Sequence, residues 1–206
     1  LCELIAVPAE NLIPLSDDIS YEDAASLPIA YGTAWRMMVT RGKVAPYEKV
    51  LILGASGGVG TACVQIGRMV GATVYAATGS DAKLERLKEL GADYGINYTK
   101  DDLSRTAWAL SGKKGMDVIV NFTGGDTWAP SIRTLAIHGR MLTCGATAGF
   151  DPPTDIRYIW RREVTIIGSD CWLRSDLETL LDLVQRKKIK PVIHKVFPLS
   201  ETREAF

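Results

Sequence analysis

Residues 49–61 carry the residue types and spacing best suited to bind a phosphate. This stretch reads Lys49-Val50-Leu51-Ile52-Leu53-Gly54-Ala55-Ser56-Gly57-Gly58-Val59-Gly60-Thr61, an apolar strand pattern followed by glycines and a helical pattern. A strand-to-helix turn of this kind directs backbone N–H groups and the positive end of the helix dipole at one point. The spacing Ala55-x-Gly57-x-x-Gly60 matches the dinucleotide-binding pattern with alanine in the first position. We therefore predict a pyrophosphate site here, the alternative being a tight turn without a ligand.

A dinucleotide site also needs a group for the adenosine ribose at the end of the next strand. An acid at Thr78 would accept both ribose hydroxyls and repel a 2′-phosphate, but this position is neutral, and Ser80 and Lys83 follow it. That combination favours NADP(H). Asp81 keeps an alternative open, because on the ribose it would favour NAD, whereas beside Ser80 it would cap a helix. Lys83 also has an alternative role as a solvated helix residue.

Strand-length apolar runs alternate with helical patterns, which is typical of a doubly wound parallel α/β sheet. A chain of 206 residues is long enough to bury such a core. The predicted strands are Val50–Leu53, Thr73–Ala77, Tyr94–Asn97, Val118–Asn121, Arg140–Cys144 and Val164–Ile167. Outside this alternation we expect short strands at Leu4–Val7 and Lys195–Phe197, and a helix that begins near Ser200.

Composition indicates which partners to expect. Lys and Arg total 24 and Asp and Glu total 24, so no net charge attracts the chain to nucleic acid or to a membrane surface. The 4 cysteines lie far apart in the sequence, which favours reduced thiols and a cytoplasmic protein. Leu1 is not an initiator Met and no signal-peptide pattern follows it, so we expect residues to be missing before it. The expected partner is a small-molecule substrate.

Several motifs together resemble the medium-chain dehydrogenase/reductase superfamily, most closely its quinone oxidoreductase and zinc-type alcohol dehydrogenase-like branch. The motifs are Leu27-Pro28, Thr33-Ala34-Trp35, residues 54–60, Leu90-Gly91-Ala92-Asp93, Ile96-Asn97-Tyr98 and Thr123-Gly124-Gly125-Asp126-Thr127-Trp128. The resemblance implies that residues 28–190 are a Rossmann dinucleotide-binding domain. It also implies that residues 1–27 are a remnant of a GroES-like catalytic domain and that residues 191–206 begin the return to that domain.

The resemblance further implies a set of cofactor contacts. The pyrophosphate would lie against Ser56, Gly57, Gly58, Val59 and Gly60, and the adenosine 2′-phosphate near Ser80, Lys83 and Tyr98. Thr33 would lie near the cofactor's phosphates or nicotinamide ribose. The nicotinamide half would be lined by Thr123, Gly124, Gly145, Ala146 and Ser169. Two chains would pair as a homodimer through the edge strand near Val164–Ile167.

The resemblance does not extend to the metal-binding residues of zinc-dependent relatives. Zinc-dependent relatives carry a metal-binding cysteine at the position that we align with Ala25, so we expect this chain to bind no zinc. For His138 and His194 we expect surface or packing roles. No side chain is assigned as a catalytic acid or base. The expected protein is the cofactor-binding part of an NADP(H)-dependent oxidoreductase acting on a quinone, carbonyl or activated alkene. The alternatives are an NAD-dependent alcohol dehydrogenase and a non-catalytic nucleotide-binding fragment.

Overall fold

A six-stranded parallel sheet forms the centre of the computed structural model, which describes residues 2–205. The strands follow one another across the sheet in the order β3-β2-β1-β4-β5-β6. Their bounds are β1 Lys49–Ile52, β2 Thr73–Thr78, β3 Tyr94–Asn97, β4 Met116–Val120, β5 Leu135–Thr143 and β6 Thr165–Gly168. This order is that of a doubly wound nucleotide-binding sheet, so the predicted fold class is confirmed.

Helices connect the strands and precede the sheet. Their bounds are α1 Tyr21–Ser26, α2 Gly32–Trp35, α3 Gly58–Met69, α4 Asp81–Glu89, α5 Leu103–Leu110, α6 Trp128–Thr134, α7 Ile156–Arg162, α8 Arg174–Gln185 and α9 Thr202–Ala205. Between α1 and α2 the chain is π-helical over Leu27–Tyr31, and after α2 again over Arg36–Arg41. Residues 21–41 therefore form one helical segment that continues through Leu27. Within residues 2–205, none of the helices is long and apolar enough to cross a membrane.

Both faces of the sheet are buried, because neighbouring residues of each strand point to opposite sides. In β1, Val50 and Ile52 pack with the helical segment 21–41, α3, α4 and α8, while Leu51 packs with α5 and α6. All three side chains are fully buried. The continuous apolar run of β1 in the sequence reflects this two-sided burial.

The chain outside the sheet differs from two of the predictions. Neither Leu4–Val7 nor Lys195–Phe197 forms a strand, because a strand requires a neighbour for its backbone hydrogen bonds and neither segment pairs with another. β5 also begins earlier than predicted, since Leu135 pairs with Met116 before a bulge and a left-handed His138. The predicted helix near Ser200 is present as a 3₁₀ turn over Leu199–Glu201 followed by α9.

Side chains of the first helical segment and α3 hold the segment that follows α8. The buried Tyr31 hydroxyl accepts from the N–H of Val192 at 3.1 Å. The Gln65 amide donates to the Lys190 carbonyl at 3.0 Å and accepts from the Lys190 N–H at 3.2 Å. These contacts fix residues 190–192 beside α3, although the segment has no regular secondary structure.

Candidate functional site

The turn between β1 and α3, residues 53–61, presents unpaired backbone donors at the carboxyl edge of the sheet. Gly57 is the N-cap of α3 and offers no side chain to the helix end. The first hydrogen bond of the helix runs from the N–H of Thr61 to the Gly57 carbonyl, 2.8 Å away. The N–H groups of Gly58, Val59 and Gly60 therefore have no partner within the helix. We call residues 53–61 the phosphate turn.

The glycines of the phosphate turn serve different purposes. Gly54 has φ +60°, a left-handed conformation that glycine adopts without strain, and it makes the sharp turn that follows β1. A Cβ on Gly60 would lie 2.3 Å from the Gly54 carbonyl oxygen, so glycine is needed there for α3 to approach the strand. A Cβ on Gly57 would have only that oxygen nearby, at 3.5 Å. The space in front of Gly57 is open to a ligand.

The end of β2 adjoins the phosphate turn through two hydroxyls. The Ser56 and Thr78 side-chain oxygens are 2.9 Å apart in a hydrogen bond, and Thr78 is buried. This contact places the end of β2, where a dinucleotide's adenosine ribose would lie, directly beside the phosphate turn.

Asp81 does not cap α4, and its carboxylate is hydrogen-bonded to two neighbouring side chains. The N-cap residue of α4 is Ser80, which makes no side-chain hydrogen bond to the helix, and Asp81 is the first residue inside the helix. The Asp81 carboxylate instead accepts hydrogen bonds from the side chains of Asn97 and Lys100. Both hydrogen bonds lower the pKa of Asp81, and the one from Lys100 has the larger effect. The carboxylate is therefore ionised at neutral pH and both of its oxygens are engaged.

Two cavities lie at the carboxyl edge of the sheet, next to the phosphate turn. The residues that the resemblance placed together around the 2′-phosphate do not line the same cavity. The larger, about 580 Å³, is lined by the start of the phosphate turn together with Tyr98 and Thr123. The second, about 320 Å³, is lined by Ser56, Thr61, Lys83, Arg86 and His194 together with apolar side chains. We call the second one the cationic cavity. Lys83 and Tyr98 therefore line different cavities, and Ser80 is not among the residues that line either of them.

His194 and Arg86 are the cavity residues that the sequence analysis missed. His194 is exposed, which agrees with the expected surface role, and it also lines the cationic cavity with Lys83. Arg86 follows Lys83 by one helical turn, and this spacing was the only signal in the sequence that could have indicated it.

The loop after β4 is built around a fully buried asparagine. Asn121 Oδ1 accepts from the backbone N–H groups of Thr123 and Gly124, each at 3.0 Å. Its amide nitrogen donates to the hydroxyls of Thr127 and Ser131. Asn121 was predicted only as the last residue of a strand, and the structure shows that it organises the loop predicted to line the nicotinamide half.

The remaining predicted contacts lie on the same edge or near it. Gly124, Gly145 and Ala146 together line a third cavity of about 360 Å³. Ser169 follows β6, and its N–H donates to the Thr143 carbonyl at 2.9 Å. The Ser169 hydroxyl is buried without a hydrogen-bond partner among residues 2–205. Thr33 lies in α2, in the helical segment that packs against α3.

The side chains near this edge provide neither a thiolate nor a zinc site. Burial raises the pKa of Cys144, which follows β5, to about 11, so its thiol is protonated at neutral pH. No three His, Cys, Asp or Glu side chains within residues 2–205 converge as metal ligands. The described residues therefore do not fit a zinc ion, and Ala25 offers no ligand atom.

Sequence comparison relates the chain to known oxidoreductases. Residues 58–186 match the family described as zinc-binding dehydrogenase. The chain is 30% identical over 208 residues to quinone oxidoreductase-like protein 2 of Bos taurus, covering 96% of this chain and 59% of that protein. It is 29% identical over 224 residues to a crotonyl-CoA reductase of Streptomyces avermitilis, covering 100% of this chain and 50% of that protein. The chain thus spans only about three fifths of the quinone oxidoreductase-like relatives.

Solved structures share the fold over nearly the whole chain. An NAD-dependent alcohol dehydrogenase superposes with a TM-score of 0.90 at 37% identity, covering 96% of this chain and 58% of that chain. The 2-octenoyl-CoA carboxylase reductase CinF, solved with NADP and 2-octenoyl-CoA, superposes with a TM-score of 0.88 at 28% identity. That alignment covers 97% of this chain and 49% of CinF.

Proposed function

Because the chain belongs to the medium-chain dehydrogenase/reductase superfamily, we propose that it forms the cofactor-binding part of an NADP(H)-dependent oxidoreductase. The observation that carries the proposal is the set of free N–H groups at Gly58, Val59 and Gly60. They lie beside β1, which is flanked by β2 and β4 at the point where the strand order reverses. In open parallel sheets this crevice is where nucleotides bind.

Within this proposal the chain binds and orients the cofactor. The bound nicotinamide would supply or accept a hydride at its C4 atom. The phosphate turn would hold the pyrophosphate by charge-assisted hydrogen bonds from backbone amides. The unpartnered hydroxyl of Ser169 supports a role for the loop after β6 on the nicotinamide side, since a buried hydroxyl without a partner is costly. We assign no acid or base to this chain.

The proposed substrate is a quinone, a carbonyl or an activated alkene. Support comes from the relatives, which include quinone oxidoreductase-like proteins and crotonyl-CoA reductases. Crotonyl-CoA is an alkene conjugated to a thioester carbonyl, which makes it an acceptor for hydride. In the intact enzyme the substrate would lie against the nicotinamide at the same carboxyl edge of the sheet.

The proposed preference for NADP(H) is supported by the charges near the end of β2. Lys83 lies with Arg86 in a cavity that contains no carboxylate among the described residues. Asp81, the acid that would favour NAD, is already bound by Lys100 and Asn97. The NAD-dependent alcohol dehydrogenase at 37% identity favours the alternative cofactor, so the two must be compared directly.

Isothermal titration of the 206-residue chain with NADPH and NADH tests the proposal. We expect NADPH to bind about tenfold more tightly, and Lys83→Ala to remove about that factor for NADPH alone. Lys88→Ala is the matched control, because Lys88 lies on the same helix and pairs with Glu85 at 2.8 Å. Binding of neither nucleotide would refute the proposal. A large loss of NADH affinity in Asp81→Asn would instead favour the NAD-dependent alternative.

We also propose that two chains pair through β6, the outer strand of the sheet. Among residues 2–205, β5 is the only strand that pairs with it, so its other edge can offer backbone groups to a second copy. Its Ile166 side chain is 38% exposed. Sedimentation equilibrium at two concentrations tests this pairing, and a monomer at both would contradict it.

A further inference from the structure

The cationic cavity is lined by basic side chains and by no acidic side chain of residues 2–205. Lys83 and Arg86 of α4 and His194 of the segment after α8 line it, together with the hydroxyl-bearing Ser56 and Thr61. No carboxylate of residues 2–205 lines it. Of the three acids of α4, Asp81 pairs with Lys100 and Glu85 pairs with Lys88, and Glu89 lies on the same helix but is not among the residues that line the cavity. A cavity with this lining suits a dianion.

Hydrogen bonds to the backbone just before His194 hold this residue at the cationic cavity. Tyr31 and Gln65 bind the chain at Val192 and Lys190, and His194 follows only two residues later. The next cation along the segment, Lys195, lies over the Phe197 ring with its Nζ 4.2 Å from the ring centroid. His194 is therefore the titratable group that this segment contributes to the cavity.

The position of the cavity indicates which phosphate it would receive. Ser56 lines the cavity and is hydrogen-bonded to Thr78 at the end of β2, where the adenosine ribose lies in folds of this type. The group nearest that ribose in NADPH is the 2′-phosphate, a monoester that NADH lacks. The pyrophosphate is common to both nucleotides and lies at the amides of the phosphate turn.

We propose that Arg86 and His194 complete the binding site for the cofactor's 2′-phosphate and that His194 takes up a proton when this phosphate binds. The inference rests on the proposed function and adds two residues, one of them on the segment after α8. A bound dianion favours the imidazolium form of a neighbouring histidine, and histidine titrates near neutral pH. The proton comes from solvent, so binding is favoured at lower pH and this contribution is lost as the pH rises.

Proton NMR of the imidazole groups provides the direct test, because the chain has only 2 histidines. His138 serves as the internal control, since it faces Glu163 at 3.1 Å on an exposed surface. We expect saturating NADPH to move the titration midpoint of the His194 signals upward by about 0.5 to 1 pH unit. Saturating NADH should leave the midpoint unchanged, and the His138 signals should not respond to either nucleotide. His194→Gln identifies which signals belong to His194.

Affinities of two variants provide a second measurement. Arg86→Gln should lower the affinity for NADPH about fivefold and leave the affinity for NADH unchanged. His194→Gln should lower the affinity for NADPH about threefold at pH 6.5 and have no effect on it at pH 8.5. His138→Gln is the matched control. Comparing each variant with the unsubstituted chain at the same pH matters, because a phosphate monoester itself titrates near pH 6.

The outcomes separate the two proposals. NADPH binding that leaves the His194 midpoint unmoved, or an equal response to NADH, would overturn this inference while the proposed function stands. Failure of both nucleotides to bind would overturn the proposed function and this inference together.

Discussion

Two glycine-rich turns lie on the same edge of the sheet. They differ in whether their backbone N–H groups are already hydrogen-bonded. In the phosphate turn, the N–H groups at the start of α3 have no partner in the helix. In the loop after β4, Asn121 accepts from Thr123 and Gly124, and the N–H of Gly125 donates to the Gly149 carbonyl at 3.1 Å. The first turn is open to an anion, whereas the second is closed by its own hydrogen bonds.

Glycine after a strand is therefore not by itself a sign of ligand binding. Gly124 and Gly125 have φ values of +67° and +47° and pack against residues 146–149. A Cβ on Gly124 would lie 2.5 Å from the Gly149 carbonyl oxygen. Those glycines serve packing, as Gly60 does, whereas Gly57 has open space in front of it. Free donors together with open space distinguish a binding turn from a packed one.

The largest expected effect comes from Gly57→Val in the phosphate turn. The backbone at Gly57 is extended, with φ −80° and ψ 174°, so valine is tolerated by the fold but occupies the space in front of the free amides. We expect nucleotide affinity to fall by about 100-fold or more, since each charge-assisted hydrogen bond contributes about 1.5–3 kcal/mol. Titration calorimetry measures the loss, and thermal unfolding should change little.

Gly60→Ala is the control for that variant, because its Cβ would clash with the backbone and should lower the melting temperature. Retained nucleotide binding by Gly57→Val would show that the open space in front of Gly57 is not where the cofactor lies.

The next effect is on stability, in the closed loop. Asn121→Ala removes the acceptor of two backbone N–H groups at a fully buried position. Leaving buried donors without partners costs about 1–3 kcal/mol each, so we expect the free energy of unfolding to fall by about 3 kcal/mol. Denaturant unfolding measures it. An unchanged midpoint would mean that the loop does not depend on its internal hydrogen bonds, which would remove the contrast with the phosphate turn.

The smallest effect is expected from Thr127→Val in the same loop. The Thr127 hydroxyl donates to the Gly124 carbonyl at 2.7 Å and accepts from the Asn121 amide at 3.2 Å, and valine keeps the shape of the side chain without these bonds. We expect a loss of about 1 kcal/mol in unfolding free energy, together with faster amide exchange at residues 123–125. Slow exchange in the variant would show that Asn121 alone closes the loop.

Much of this architecture could be predicted from the sequence, because its signals are local. The buried strand before Gly57 and Gly60 follows from neighbouring residues, as does the end of α4 just before Gly91, where φ is +114°. The predictions that were wrong concern partners distant in sequence. Asp81 was considered as a helix cap, but Asn97 and Lys100 bind its carboxylate from the end of the next strand.

The same reason explains the strands that did not form and the residues that were missed. Leu4–Val7 and Lys195–Phe197 have the composition of strands, yet strand formation requires a neighbouring backbone that no local pattern reveals. His194 gave no signal in the sequence, since its place in the cationic cavity depends on Tyr31 and Gln65, which lie far from it along the chain.

The alternation of strands and helices, the fold class and the position of the phosphate turn all follow from the amino-acid sequence alone. Each of these follows from the periodicity of apolar residues and the conformational freedom of glycine, which are properties of neighbouring residues. The folded chain is needed to show which amides remain free, which acid is already bound and which cations share a cavity. These outcomes depend on contacts between strand ends that meet only when the parallel sheet assembles.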